Sequence, residues 1–243
     1  MRVKVIGSSS EGNCYLLQSN SGETLMVECG VPIMDIKKGL GFKVDSVVGC
    51  LVTHRHKDHC KSLMDVCKLG VKVYSIGDVF ASMQADSPFF EEIVTNKQYK
   101  IGNFCVMAFI ARHDVPCVSY VIKHPECGWI LFMTDSVTLT TNFQGLNHIM
   151  IECNYSDEIL KENIDNGILH KSQRDRLMVS HCELKTTKGI LGRLDLSNVE
   201  SIMLLHLSHT NSNADQFKRE IEEATGRVTY VATPGLEIDY NGF

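Results

Sequence analysis

The sequence has no apolar run approaching the roughly 20 residues that a membrane-spanning helix needs. Its opening stretch, Met1-Arg2-Val3-Lys4-Val5-Ile6, turns polar at Ser8 where the apolar core of a signal peptide would continue. Spanning and secreted proteins are disfavoured on these grounds, and a cytoplasmic location is expected. Basic charge is not in excess: 24 Lys and Arg against 29 Asp and Glu give a formal net charge of −5 and a pI near 6.0. That argues against a broad surface for neutralising nucleic-acid phosphates, although local patches stay open. None of the ten cysteines forms a Cys-x-x-Cys pair. They are dispersed in apolar runs such as Phe104-Cys105-Val106-Met107, so buried reduced thiols are expected instead of a disulfide framework. Repeats, low-complexity tracts and linkers are also missing.

With 243 residues, 44% of them hydrophobic, the chain is long enough to bury a large core, and one domain covering 1–243 is expected. The densest chemistry sits in Thr53-His54-Arg55-His56-Lys57-Asp58-His59. An apolar run, Val47 to Val52, leads into it, and Cys60 to Leu69 reads as the helix that leaves it. Alternate residues of an extended segment point to one side, so His54 and His56 can present two imidazoles to one cation. Asp58 and His59 lie where the chain turns into the helix and face a second position beside the first. Metals of a catalytic pair are typically about 3.5–4 Å apart, so the stretch proposes two of them. A lone histidine after a strand would carry no such weight. Three histidines and an aspartate within six residues desolvate poorly unless a cation holds them.

The pattern H-x-H-x-D-H after a hydrophobic strand resembles the metallo-β-lactamase superfamily. The resemblance implies an α/β (α+β) fold, a four-layered αββα sandwich of two mixed β-sheets flanked by helices. Gly7-Ser8-Ser9-Ser10-Glu11-Gly12-Asn13 is similar to the first loop of the branch holding ribonuclease Z-like enzymes, a phosphoribosyl cyclic phosphodiesterase and bacterial DNA exonuclease-like proteins. In those the loop borders the metal site. Glu28-Cys29-Gly30 stands where the family has Asp-x-Gly, a carboxylate that supports the metal loop, and the extra methylene is a departure.

Elsewhere the chain reads as short elements punctuated by turns. Val3 to Ile6, Cys14 to Gln18 and Thr24 to Val27 open it as antiparallel strands, and Pro32 to Leu40 forms a helix. Val71 to Ser75 is a strand, Asp78 to Ala85 a helix, and Tyr99 to Ile101 and Phe104 to Ala111 form a hairpin. Val118 to Lys123 and Trp129 to Met133 form another, Ile149 to Ile151 is a buried strand and Glu158 to Leu169 a helix. Lys171 to Arg176 reads as a charged connection and a candidate phosphate contact. Leu177 to Ser180 and Ile202 to Leu205 are both apolar runs ending at a histidine, His181 and His206. Ser212 to Asp215 has the form of a capping box ahead of a helix that Gly226 ends, and Val228 to Ala232 supplies a last strand. His124, His148 and His170 have no partner pattern and read as structural or surface residues, and His209 reads as a loop residue.

His113, at a strand end and followed by Ser119-Tyr120-Val121-Ile122, resembles the family's third motif, with Ser119 in place of glycine. Thr134-Asp135-Ser136 looks like its Thr-Asp-Thr, and Glu152-Cys153-Asn154-Tyr155-Ser156-Asp157 resembles the Glu-Ser-Asn segment of the exonuclease-like group. Spacing alone leaves His181 and His206 as competing candidates for the last metal ligand. The resemblance implies that His206 is the ligand and His181 the proton donor. It further implies that His54, His56 and His113 hold a first metal, that Asp58, His59 and His206 hold a second, and that Asp135 bridges them. All are nitrogen or oxygen donors, which suits two divalent ions, zinc foremost with manganese or iron compatible.

The function implied is a dinuclear metal-dependent hydrolase, a phosphodiesterase or nuclease. A coordinated water ionised near neutral pH would attack, Asp58 would orient it, and His181 would protonate the leaving alkoxide. Its substrate would be a nucleic-acid end or a small cyclic phosphodiester, the net negative charge favouring the latter. A long Gly/Pro-rich arm, expected for tRNA 3′ processing, is missing. The alternatives are a hydrolase of another ester or amide, a thioester or lactam, and a non-catalytic metal- or nucleotide-binding module.

Overall fold

Strand formation follows the alternation of buried and exposed positions. In β1 (Arg2–Ser9) Val3 and Val5 are fully buried while Arg2 is exposed, and β2 (Gly12–Gln18) and β3 (Thr24–Val27) continue it as an antiparallel meander. The computed structural model describes residues 1–139 and 141–240; the side chains at 171–173 and 176 fall outside the described residues. After α1 (Ile33–Gly39), whose N-terminal flank is Pro32, β4 (Val47–Leu51) pairs parallel to β3. Next come α2 (Lys57–Cys60), α3 (Leu63–Lys68), β5 (Val73–Ser75), α4 (Gly77–Ser82) and β6 (Phe90–Glu92). The second half runs β7 (Gln98–Ile101), β8 (Phe104–Ala111), β9 (Cys117–His124), β10 (Gly128–Met133), β11 (His148–Glu152), α5 (Asp157–Asp165), α6 (Lys171–Ser180), α7 (Leu184–Leu191), β12 (Ser201–Leu205), α8 (Ala214–Thr225), β13 (Val228–Val231) and β14 (Glu237–Asp239).

Among the described residues the strands form two seven-stranded sheets, ordered β14-β1-β2-β3-β4-β5-β6 and β13-β12-β11-β10-β9-β8-β7. Both are mixed. Their parallel members β10, β11 and β12 carry near-continuous apolar runs because both faces are covered. Three apolar clusters define the layering. One, with Val5, Tyr15, Leu51, Tyr120, Phe132 and Met203, fills the space between the sheets. A second packs Ile190 of α7 and Phe217 of α8 against the second sheet, and a third packs Ile36 of α1 and Val66 of α3 against the first. Helix, sheet, sheet and helix make the αββα sandwich of the metallo-β-lactamase fold, as the resemblance implied.

Two expectations fail. The segment 177–180 is not a strand: it is the end of α6, which also absorbs the expected 171–176 connection. Met178 and Val179 are exposed, so their apolar run never entered a sheet; a four-residue run has no periodicity to separate strand from helical turn. The expected helix from Cys60 to Leu69 is broken into α2 and α3. Its break at Lys61 and Ser62 is fixed by the chain ahead of α1: Ser62 N–H donates to Cys29 O at 2.9 Å and Ser62 Oγ to Val31 O at 2.6 Å. Strand β14, which crosses back to pair with β1, and helix α7 carried no signal we read. All ten cysteines are free thiols, nine of them buried. Among the described residues no helix is long and apolar enough to cross a membrane.

Candidate metal centre

Every predicted site residue sits where a strand or helix ends on one rim of the sandwich. His54 and His56 follow β4, His113 follows β8, Asp135 follows β10, His206 follows β12, and His181 follows α6. Asp58 and His59 lie in α2. Three residues at this rim hold left-handed backbone, Glu28 (φ 65°), Asp135 (φ 47°) and His206 (φ 54°). Non-glycine residues pay for that geometry, and it persists where the surrounding structure over-determines it, as at functional sites.

Support for the histidine loop comes from close packing. A Cβ placed on Gly30 would lie 1.7 Å from Asp58 O, so only glycine lets the 28–31 segment lie against α2. Cys29 N–H donates to His59 O at 2.9 Å, and Asn13 Nδ2 to Asp58 O at 3.2 Å. Tyr120 donates its hydroxyl to Val52 O at 2.6 Å, pinning the chain one residue before Thr53. Glu28 fills the supporting position despite its extra methylene. It is fully buried, accepts from Thr53 Oγ1 at 2.6 Å and stands 3.3 Å from His59 Nδ1.

The network sets the tautomers. Thr53 has one hydroxyl hydrogen, and it goes to the Glu28 carboxylate. It therefore accepts from His54 Nδ1–H, 2.9 Å away, which leaves His54 Nε2 as a lone pair. His206 Nδ1 donates to Asp135 Oδ1 at 2.6 Å, so in the singly protonated ring its Nε2 is the lone pair. Both Nε2 atoms are buried without a hydrogen-bond partner.

Among the described residues three donor groups result. His54, His56, His113 and Asp135 form one; Asp58, His59 and His206 a second; Asp135, Glu152, His181 and His206 a third. Asp135 Oδ2 lies 3.0 Å from His59 Nε2 and 3.5 Å from His54 Nε2, between the first two. Orphaned buried nitrogens facing buried carboxylates are costly without a cation, so this donor set fits divalent metal ions. Burial and the neighbouring histidines hold His54 well below the ordinary histidine range, and burial lowers His113. For His59 and His206 the lowering effect of burial is outweighed by the carboxylates, Asp135 foremost, and both end well above it. Asp58 goes the other way: burial would raise it, but the neighbouring His206 and His59 imidazoles hold it well below the usual carboxylate range.

His181 is placed differently. It lines a cavity of about 290 Å³ with Ser10, His56, Lys57, Asp58, His113, Asp114, Asp135 and Ser180, and its side chain is 21% exposed. Its Nδ1 is 2.8 Å from Glu152 Oε1. Burial would lower His181, and Glu152 outweighs it. The sequence reading missed Glu152 as a site residue. Its signal was there, a carboxylate closing the apolar run Ile149 to Ile151. Glu152 is fully buried, accepts from the Cys182 and Ser136 amides at 3.2 and 3.3 Å, and lies 3.4 Å from His206 Nδ1. Asn154, from the same segment, donates to His206 O at 2.7 Å. Ser8 of the first loop accepts from His206 N–H at 2.9 Å, which places that loop at the site's border. His124 contacts Glu23 and His148 stacks on Tyr240, both away from the centre. Of the 171–176 basic cluster, only Arg174 and Asp175 are described at side-chain level, and Arg174 borders a separate cavity with Asp157 and Lys161.

Fold and donor set together define a metallo-hydrolase fold. Residues 9–101 match the profile of the metallo-beta-lactamase superfamily. The chain is 28% identical over 132 residues to a ribonuclease Z of Methanopyrus kandleri, covering 50% of this chain and 47% of that protein. The chain thus spans about half the length of that relative. The crystal structure of YhfI from Bacillus subtilis, a metallo-beta-lactamase fold protein, superposes with a TM-score of 0.72 at 16% identity, covering 98% of this chain and 99% of that one. Zinc-bound PqqB from Methylobacterium extorquens gives 0.73 at 14%, covering 98% and 100%.

Proposed function

We propose that residues 1–243 form one metallo-β-lactamase-like domain acting as a dinuclear metal-dependent phosphodiesterase, on a nucleic-acid end or a small cyclic phosphodiester. The single observation that carries this reading is the Glu152–His181 pair at the cavity beside the metal donors. Under this reading His54, His56 and His113 would hold one ion, Asp58, His59 and His206 would hold the other, and Asp135 would serve both. Bound there, divalent ions would supply Lewis acidity and bring the pKa of water from 15.7 to about 7.

The chain's own groups do the rest. Glu152 takes the Nδ1 hydrogen of His181, so the opposite nitrogen is the one available to give a proton to a leaving alkoxide. Asp58 Oδ2, 3.3 Å from His59 Nε2 and 3.5 Å from His206 Nε2, orients the attacking water. His206 is assigned as ligand over His181 because its Nε2 is buried and orphaned, whereas His181 is partly exposed and lines the cavity. A phosphodiester suits this arrangement because its alkoxide leaving group needs the proton. Similarity to a ribonuclease Z supports the same class. The test is hydrolysis of bis(p-nitrophenyl) phosphate, lost with chelator and restored by metal, followed by a screen of single- and double-stranded DNA, RNA and cyclic nucleotides. No chelator-sensitive turnover on any of them would refute the reading.

A further inference from the structure

Asp114 follows His113 and belongs to none of the donor groups above. Its Oδ1 lies 3.0 Å from His113 Nε2 and 3.6 Å from His56 Nε2, its side chain is 35% exposed, and it lines the same cavity. The state of His113 follows from its other nitrogen. Nδ1 is 2.9 Å from the carbonyl oxygen of Ser180 at the end of α6, and a carbonyl only accepts, so Nδ1 carries the hydrogen. In the singly protonated ring Nε2 is then a bare lone pair, 3.2 Å from His56 Nδ1 and 3.9 Å from Asp135 Oδ2. A carboxylate oxygen at hydrogen-bond distance from a lone pair is repulsive unless a cation lies with them. Asp114 therefore faces the same point as His56 and His113, from the solvent side.

We propose that Asp114 is a fifth protein donor to the first metal position, beside His54, His56, His113 and Asp135, and that it tilts that position towards a six-coordinate ion such as Mn²⁺ over Zn²⁺. The proposal rests on the dinuclear reading and deepens it by naming a metal preference. Catalytic zinc is held by three protein ligands with one position open, whereas carboxylate-rich, higher-coordinate shells suit manganese. Three imidazoles and two carboxylates exceed a tetrahedral shell before any water enters.

The test is metal binding to the whole, chelator-stripped chain. Free Mn²⁺ is followed by its electron paramagnetic resonance signal, and Zn²⁺ by competition with a chromophoric chelator. Wild type is expected to take two Mn²⁺. Asp114→Asn is expected to weaken one of them by about 10-fold or more and to leave zinc affinity within a few-fold. Asp114→Glu, which keeps the carboxylate, is expected to retain manganese binding within a few-fold. Manganese isotherms of Asp114→Asn that superimpose on wild type, equal losses for both metals, or an Asp114→Glu loss as deep as that of Asp114→Asn would overturn the assignment while leaving the dinuclear reading intact. A wild-type chain that takes up neither ion would overturn the dinuclear reading itself, and Asp114's part with it.

Discussion

His181 and Glu152 meet through Nδ1 and Oε1 at 2.8 Å, although they are 29 residues apart and leave different elements, α6 and β11. Burial costs a carboxylate its water, and Glu152 recovers acceptor contacts from His181 and from two backbone amides. The imidazole it holds is the most exposed ring beside the donor cluster apart from His56. A fixed ring with one nitrogen turned to the cavity is what proton donation requires.

His181→Ala should therefore retain its metals by elemental analysis and lose about 10²–10⁴ in rate on an alkyl phosphodiester. The loss should shrink strongly on bis(p-nitrophenyl) phosphate, whose leaving group needs no proton. Equal losses on both substrates would show that His181 does not act as the acid. Loss of a metal would show that His181 and His206 have exchanged roles.

Glu28→Gln keeps the size of the side chain and removes the charge opposite His59 Nδ1. Partners of ligating histidines are typically worth 10–100-fold in metal affinity, and a loss of that order is expected in a chelator competition assay. Unchanged affinity would mean that Glu28 only fills space.

Tyr120→Phe removes the hydroxyl that Val52 O accepts ahead of the histidine loop. Ser75 Oγ still donates to that carbonyl at 2.7 Å, so a modest cost of about 1–2 kcal/mol is expected. For a chain of this size it reads as a Tm lower by about 2–8 °C. No change in Tm would show that the Ser75 bond suffices.

Chelation should also destabilise. Ions bound at about 1,000 times their Kd contribute about 4 kcal/mol per site. Stripping even one site should lower Tm by about 8–16 °C in a calorimetric scan. A melt indifferent to chelator would contradict the occupancy of this cluster by cations.

How far the sequence alone reached depended on whether a residue's neighbours lay close along the chain. His54, His56, Asp58 and His59 were legible because strand and turn geometry place them within six residues. His113, Asp135 and His206 were legible through their position after apolar strands, together with the family resemblance. The places of Glu152 and Asp114 beside that cluster were not, because their partners are brought together only by the sandwich. The apolar run before His181 misled for a related reason: Met178 and Val179 look like strand residues, and only their exposure shows the helix. The break between α2 and α3 was invisible because Cys29 and Val31, which accept Ser62's hydrogen bonds, lie some thirty residues upstream.

Anomalous diffraction from crystals of the metal-replete chain would bear on the central claim most directly. The account predicts two peaks, one among His54, His56 and His113 and one among Asp58, His59 and His206, with Asp135 touching both. A single peak, or one seated on Glu152 and His181, would contradict it.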